Sequence, residues 1–166
     1  MGGVSVSGIR VGLGYDVHPF ADPTEPVRPL VLGGVVIDGP GLAGHSDADA
    51  VCHAVADALL GPAGLPDLGS LFPSTDERYR GASSIELLRD VVERVTAAGW
   101  SVVNVDVVIT AEQPRLSPHL DAMVAQLRDA LGGAFVSVKP KRGEGIGAVG
   151  RNEGIVCWAV ALLETV

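Results

Sequence analysis

Asp16 and His18 stand two residues apart at the end of a short apolar run, residues 9–15. In a strand, residues i and i+2 project from the same face, so this spacing sets a carboxylate beside an imidazole. A divalent metal takes that pairing of O and N ligands. A third protein ligand would leave the fourth position open to substrate, as in catalytic zinc sites. His53, in the middle of an expected helix where imidazole has no propensity advantage, is the candidate third ligand. The plainer alternative has Asp16 capping a turn and His53 in the core or on the surface. Next, His45-Ser46-Asp47-Ala48-Asp49 opens that same helix. Free N–H groups and the helix dipole attract anions there, so His45 and Ser46 suit a phosphate, although simple capping accounts for the same residues. One helix carrying both a metal ligand and an anion-binding end would build a metal–phosphate site.

Two loops carry further candidates. Residues 139–154 hold Lys139, Lys141, Arg142 and Arg151 around a run of glycines. Gly145-x-Gly147-x-x-Gly150 matches a dinucleotide-binding fingerprint by letter, but too few residues follow it for the helix and second parallel strand that fingerprint requires. What remains is a Gly-rich loop with basic flanks that could wrap phosphates through backbone N–H groups. Glu144 would then be an oxygen ligand for a phosphate-bound Mg²⁺. A surface loop with solvated charges fits equally well. Residues 65–76 place Asp67, Leu68, Gly69, Phe72 and Asp76 in a turn-rich stretch of the kind that binds substrate hydroxyls, and as often only turns the chain.

Positioning these groups requires strands at residues 9–15 and 30–37, separated by a proline-rich loop. A helix follows, with Ser46 as N-cap and a stop near Gly61-Pro62. A second helix starts at Ser83 or Ser84, carries Ile85, Leu88, Val92 and Val95 at helical spacing, and ends at Gly99. A strand over 102–110 comes next, then a third helix from Ser117-Pro118 to Leu131. Strands over 135–139 and 155–163 complete the order. The fold class is α+β, an α/β sandwich with helices on one face of a sheet.

The 166 residues suit one domain, residues 1–166, with residues 1–8 as a disordered tail. A net charge of −8 argues against nucleic acid or anionic membrane as a partner. No apolar run is long enough to span a bilayer, and no secretory signal is visible, which points to the cytoplasm. Cys52 and Cys157 lie in apolar runs and read as structural. Aromatics make up only 4 %, so a core built of Ala and Val is modest, and subunit association is expected to supply part of the stability.

Several ordered blocks together resemble the 2-C-methyl-D-erythritol 2,4-cyclodiphosphate synthases of non-mevalonate isoprenoid biosynthesis. They are Gly14-Tyr15-Asp16-Val17-His18-Pro19-Phe20, Gly44-His45-Ser46-Asp47-Ala48-Asp49 with His53, and Asp57-Ala58-Leu59-Leu60-Gly61. Asp67-Leu68-Gly69, Leu71-Phe72-Pro73-Ser74-Thr75-Asp76, Asn104-Val105-Asp106 and Gly150-Arg151-Asn152-Glu153-Gly154 continue the match. The resemblance implies a mixed β-sheet assembled as a homotrimer, with each active site between two subunits. It implies Zn²⁺ on Asp16, His18 and His53, against the β-phosphate of 4-diphosphocytidyl-2-C-methyl-D-erythritol 2-phosphate. The substrate's 2-phosphate attacks that phosphorus and expels CMP, so the protein would be a phosphorus–oxygen lyase. His45 would stabilise the transition state and Ser46 would hold phosphate. Asp67, Leu68 and Gly69 would bind the erythritol hydroxyls, with Phe72 to Asp76 as a flexible substrate loop. Ala111, Arg115, Leu116 and Ser117 would border the cytosine. Glu144 would ligate Mg²⁺ or Mn²⁺ between the phosphates. The length leaves no room for a fused cytidylyltransferase.

Two positions depart from that pattern. Lys141 and Arg142 stand where the family usually has two threonines, so the catalytic threonine is Arg142 here. Arg neutralises phosphate charge more strongly than a hydroxyl but has different geometry. Ala148 replaces an aromatic that often lines a central trimer cavity holding an isoprenoid diphosphate, which weakens that ligand although Arg151 remains. Two alternatives stay open: a metal-dependent phosphodiesterase that hydrolyses a nucleotide diphosphate, and a non-catalytic binding homologue.

Overall fold

The computed structural model describes residues 8–24 and 26–166. The expected tail, residues 1–8, lies outside them apart from Gly8, whose carbonyl accepts the Thr165 N–H. In chain order the elements are β1 (Ile9–Pro19), β2 (Leu30–Leu32), β3 (Val35–Ile37), α1 (Ala50–Ala63), the short α2 (Leu68–Leu71) and a 3-10 turn (Glu77–Tyr79). Then come α3 (Ser84–Ala97), β4 (Trp100–Thr110), a second 3-10 turn (Ser117–His119), α4 (Leu120–Ala130), β5 (Phe135–Lys141), the short α5 (Gly147–Gly150) and β6 (Gly154–Thr165). The main sheet runs β1-β6-β4-β5. β6 is antiparallel to both β1 and β4, and β4 and β5 are parallel. α1, α3 and α4 pack against it and against one another. The expected mixed sheet with helices and the α+β class are therefore present. Among the described residues no helix is long and apolar enough to cross a membrane.

The core lies between these helices and the sheet. Val105, Val107 and Ile109 of β4, with Ile155, Cys157, Ala159, Ala161 and Leu163 of β6, meet Leu59, Leu60, Leu88, Val91, Met123 and Leu127. β1 inverts the usual alternation. Its inward positions are Gly12 and Gly14, while Val11 and Leu13, 67 % and 68 % exposed, face outward. A Cβ on Gly14 would fall 1.8 Å from the Ala54 carbonyl oxygen, and one on Gly12 would fall 2.0 Å from that of Ala58. The two glycines let the backbone of α1 rest directly on β1. That close approach brings His53 over the end of the strand.

Several boundaries differ from expectation, each for a local reason. Residues 30–37 form a hairpin, not one strand. Gly33 and Gly34 both adopt positive φ, +57° and +74°, at its turn. The N-cap of α1 is Asp49, not Ser46. Ala48 sits in the left-handed region at φ +58° and breaks the chain there, while Asp49 accepts the N–H groups of Val51 and Cys52. The same carboxylate accepts the Gly33 and Gly34 N–H groups at 2.8 and 2.7 Å, so one side chain ties the hairpin to the helix start. α1 continues past Pro62 to Ala63 and closes on Gly64 at φ +75°. The third helix begins with a 3-10 turn at Ser117 before α4.

Candidate metal centre and active site

β1 ends with Asp16 and His18 turned toward α1, and His53 comes down from the first turns of that helix. The Asp16 Oδ2 lies 3.0 Å from His18 Nε2 and 3.2 Å from His53 Nδ1, and the two nitrogens are 3.3 Å apart. All three candidate ligand atoms lie within 4.8 Å of one another. Ligands about 2.0 Å from a tetrahedral ion are separated by about 3.3 Å, so these edges match one face of such a tetrahedron. The chemistry of the donor set agrees. His18 Nδ1 donates to the Ala43 carbonyl at 2.7 Å, which leaves its Nε2 lone pair facing a carboxylate. Acceptors converging at this distance repel unless a cation or proton sits between them, and the three residues fit a divalent metal.

The electrostatics carry the same signature. Burial pushes the Asp16 carboxyl up, but hydrogen bonds and charge from His18 and His53 outweigh it and hold the pKa down to about 2. For His18, burial works downward; the Asp16 hydrogen bond and charge and the Ala43 carbonyl prevail, and its pKa is raised. His53 Nε2 lies 2.9 Å from the Ser84 Oγ and 3.3 Å from the Ser46 Oγ. His45 Nε2 donates to the Asp76 carbonyl at 2.9 Å. Arg28 donates to the carbonyls of Gly44 and Ser46 on either side of His45, and so holds that peptide from the proline-rich loop.

These groups line a cavity of about 360 Å³, with Asp16, His18, His45, Ser46, His53, Leu68, Gly69 and Phe72 on its wall. Asp67 and Asp76 are in the bordering loop instead. Asp67 caps α2 through the Ser70 N–H, and Asp76 binds Arg78. A second cavity of about 470 Å³ collects Ala111, Arg115, Leu116, Ser117, Lys141 and Arg142. Within one chain the two cavities share no lining residue. Arg142 is paired with Glu112, whose other oxygen accepts the Gly143 N–H at 3.1 Å. Glu144 and Arg151 line neither cavity. Glu144 is exposed at φ +51°, and Arg151 pairs with Glu153 at 2.6 Å.

The structure adds residues that sequence reasoning did not assign. Asp57 lines the first cavity and accepts the Leu68 N–H at 2.8 Å, so α1 anchors the loop that starts α2. Burial raises its pKa, against the Leu68 hydrogen bond, with help from the nearby Asp67 and Asp16 charges. Its spacing of four from His53 puts both on one helical face, a signal present in the sequence. Ser84 was legible only as a helix start, and nothing local pointed to Arg28 or Glu112.

Known proteins frame this geometry. The YgbB family model matches residues 9–164. The 2-C-methyl-D-erythritol 2,4-cyclodiphosphate synthase of Rubrobacter xylanophilus is 55% identical over 162 residues, covering 96% of this chain and 97% of that one. A bifunctional enzyme IspD/IspF from an Anaeromyxobacter strain is 52% identical, and there the chain spans 93% of itself but 40% of the longer protein. Among solved structures, an IspF–CDP complex from Plasmodium falciparum superposes with a TM-score of 0.82 at 32% identity, covering 97% of this chain and 99% of that one. Matched along nearly its whole length by sequence and by fold, the chain belongs to the YgbB family, that of the 2-C-methyl-D-erythritol 2,4-cyclodiphosphate synthases.

Proposed function

We propose that this chain is a phosphorus–oxygen lyase that cyclises 4-diphosphocytidyl-2-C-methyl-D-erythritol 2-phosphate to the 2,4-cyclodiphosphate, with release of CMP. The observation that carries the reading is the triangle of Asp16, His18 and His53, with edges of 3.0 to 3.3 Å, on the wall of a cavity. Asp16, His18 and His53 would hold Zn²⁺, and Glu144 would hold Mg²⁺ or Mn²⁺. When bound, such ions neutralise phosphate charge and polarise the phosphorus–oxygen bonds.

In the reaction an oxygen of the 2-phosphate forms a bond to the β-phosphorus. The bond from that phosphorus to the bridging oxygen breaks, and its electron pair leaves with CMP. The nucleophile belongs to the substrate, so the protein contributes orientation and charge. His45, held by Arg28 and the Asp76 carbonyl, stands with Ser46 on the phosphate side of the cavity. Asp67, Leu68 and Gly69 take the hydroxyls. Phe72, packed edge-on to Tyr79 at 5.3 Å, shields the site from water. The cavity around Ala111, Arg115, Leu116 and Ser117 takes the cytosine, with Lys141 and Arg142 toward the nucleotide phosphates.

One substrate must reach both cavities, which are separate within a chain. A homotrimer that seats the second cavity of one subunit beside the first of the next supplies the join. The outward apolar stripe of Ile9, Val11, Leu13, Tyr15 and Val17, continued by Trp158 and Val160, supports such an assembly. The reaction belongs to isoprenoid precursor biosynthesis in the cytoplasm. Incubation with the substrate, followed by ³¹P NMR, tests the proposal. Cyclic diphosphate plus CMP is expected, together with a particle of three 17.0 kDa chains by light scattering. Linear phosphate products would favour the hydrolase, and no turnover the binding homologue.

A further inference from the structure

The Asp16, His18 and His53 triangle works as a ligand set only if His53 presents an unprotonated Nδ1, and hydrogen-bond accounting around the other nitrogen decides this. Asp47 receives two bonds from one residue: its Oδ2 accepts the Ser84 N–H at 3.0 Å, and its Oδ1 accepts the Ser84 hydroxyl. A carboxylate has no hydrogen to give, so the single hydroxyl hydrogen of Ser84 is committed to Asp47. Toward every other neighbour the Ser84 Oγ can only accept. His53 Nε2, 2.9 Å away, must therefore be the donor. A neutral imidazole carries one hydrogen, so Nδ1 is left with its lone pair, aimed at Asp16 and His18. The remaining acceptor site of Ser84 is open to the Ser46 hydroxyl at 3.3 Å, whose own oxygen accepts the Ala48 N–H. The Ser46 hydroxyl also lies 3.3 Å from Nε2, but were it to donate there, Nε2 and the Ser84 Oγ would face each other lone pair to lone pair at 2.9 Å, so its hydrogen goes to Ser84. The hydroxyl is fully buried, at 1 % exposure, so water does not replace it.

We propose that Ser84, locked by Asp47, is the positioning residue that fixes the tautomer of His53 and so presents Nδ1 as a metal ligand. The same element supplies both constraints, because Asp47 grips the backbone and the side chain of the first residue of α3. α3 thereby orients a ligand carried by α1. The inference rests on the metal-site reading above and deepens it. Outer partners of this kind are worth about 10–100-fold in metal affinity.

Two measurements on the full-length protein test it. In chelator-stripped wild type with ¹⁵N-labelled histidine, long-range ¹H–¹⁵N spectra recorded as pH is raised report which ring nitrogen of His53 keeps its hydrogen in the neutral form. The Nε2–H form is expected; an Nδ1–H form overturns the proposal, whatever any variant does. Zinc affinity is then measured by competition with a chromophoric chelator. Ser84→Ala is expected to bind zinc about 10–100-fold more weakly, with a mixed tautomer at His53. Ser84→Thr, which keeps the hydroxyl, is expected to restore both. Wild-type zinc affinity in Ser84→Ala overturns the proposal. If wild type itself binds no zinc, the metal-site reading falls, while the tautomer spectrum still decides the role of Ser84.

Discussion

Replacing Gly14 by alanine adds one methyl group, at a point where the structure leaves it nowhere to go. The new Cβ would lie 1.8 Å from the Ala54 carbonyl oxygen and 2.8 Å from the Ala58 nitrogen, both backbone atoms of α1. Restoring the 3.4 Å of ordinary contact from 1.8 Å needs α1 to retreat by about 1.6 Å. Gly14 has no positive φ, so the penalty is steric and not conformational. Overpacking of this kind costs about 1–3 kcal/mol. The functional consequence is sharper than the stability loss. His53 precedes Ala54, so the retreat lifts its Nδ1 from Asp16 and His18, now 3.2 and 3.3 Å away. Metal–ligand distances tolerate only about 0.2 Å, so zinc affinity should fall far more than stability. Urea titration at constant m reports the first effect, and chelator competition on the same protein the second. Gly61→Ala is the matched control for the metal: outside its chain neighbours its Cβ meets nothing within 4 Å, so whatever a Cβ before Pro62 costs the end of α1, zinc affinity should be unchanged. A Gly14→Ala protein that binds zinc like wild type refutes the argument that glycine sets the distance between helix and strand.

Removing the acceptor of the Leu68 N–H, as in Asp57→Ala, should free the start of α2 and raise KM about tenfold through the loss of one half-buried, charge-assisted hydrogen bond of about 1–2 kcal/mol, whereas Asp57→Asn, which keeps an acceptor, should stay near wild type in steady-state kinetics. Arg142→Thr should change turnover by less than about tenfold, because Glu112 already offsets the charge that Arg142 brings to the wall of the second cavity; a loss beyond about 10³-fold, roughly 4 kcal/mol, would give Arg142 a role of its own. In metal-free protein, the Asp16 pKa of about 2 against 3.8 means its ion pairing stabilises the fold fully above pH 3.8 and is lost as pH falls through about 2. The His18 pKa is raised above 6.5, so its contribution is complete below pH 6.5 and disappears as pH rises through the folded value. Calorimetry of chelated protein should therefore show lower stability at pH 8 than at pH 6, a difference abolished in His18→Ala.

The fold was legible where periodicity carried it. Of Ile85, Leu88, Val92 and Val95, expected at helical spacing along α3, Leu88 and Val95 are buried, Ile85 and Val92 are half-buried, and Val91 completes the buried face; the helix starts at Ser84 as expected. β1 was legible as a strand but not in its orientation, because the rule that apolar residues point inward fails there. Leu13 and Val17 face out, and the two glycines face in. The hairpin at residues 30–37 read as one apolar strand because Gly33 and Gly34 interrupt it without polar residues to mark a turn. Its geometry is fixed from outside, by the Asp49 carboxylate on both glycine N–H groups, a partner fifteen or more positions away in sequence.

The site divides along the same line. Asp16 and His18 announce themselves because the strand repeat of two converts sequence spacing directly into a shared face, and His53 because an imidazole within a helix of Ala, Val and Leu is out of place. The groups that make those ligands competent have no such local repeat. The Ala43 carbonyl that holds His18 is a backbone atom, invisible to residue type, and Ser84 reaches His53 from another helix, 31 positions along the chain. Serine at a helix start is so common that its identity carries no information about a metal. What distinguishes Ser84 is the absence of the expected capping bond at α3: the Ser83 hydroxyl makes no capping hydrogen bond, and the Ser84 hydroxyl is turned inward to Asp47 and His53. A helix whose local capping bond is missing, with the adjacent hydroxyl buried between Asp47 and His53, has exchanged a local cap for the proposed hold on the His53 tautomer, while Asp47 takes the Ser84 N–H. That exchange is recognisable only once α1 and α3 are packed together.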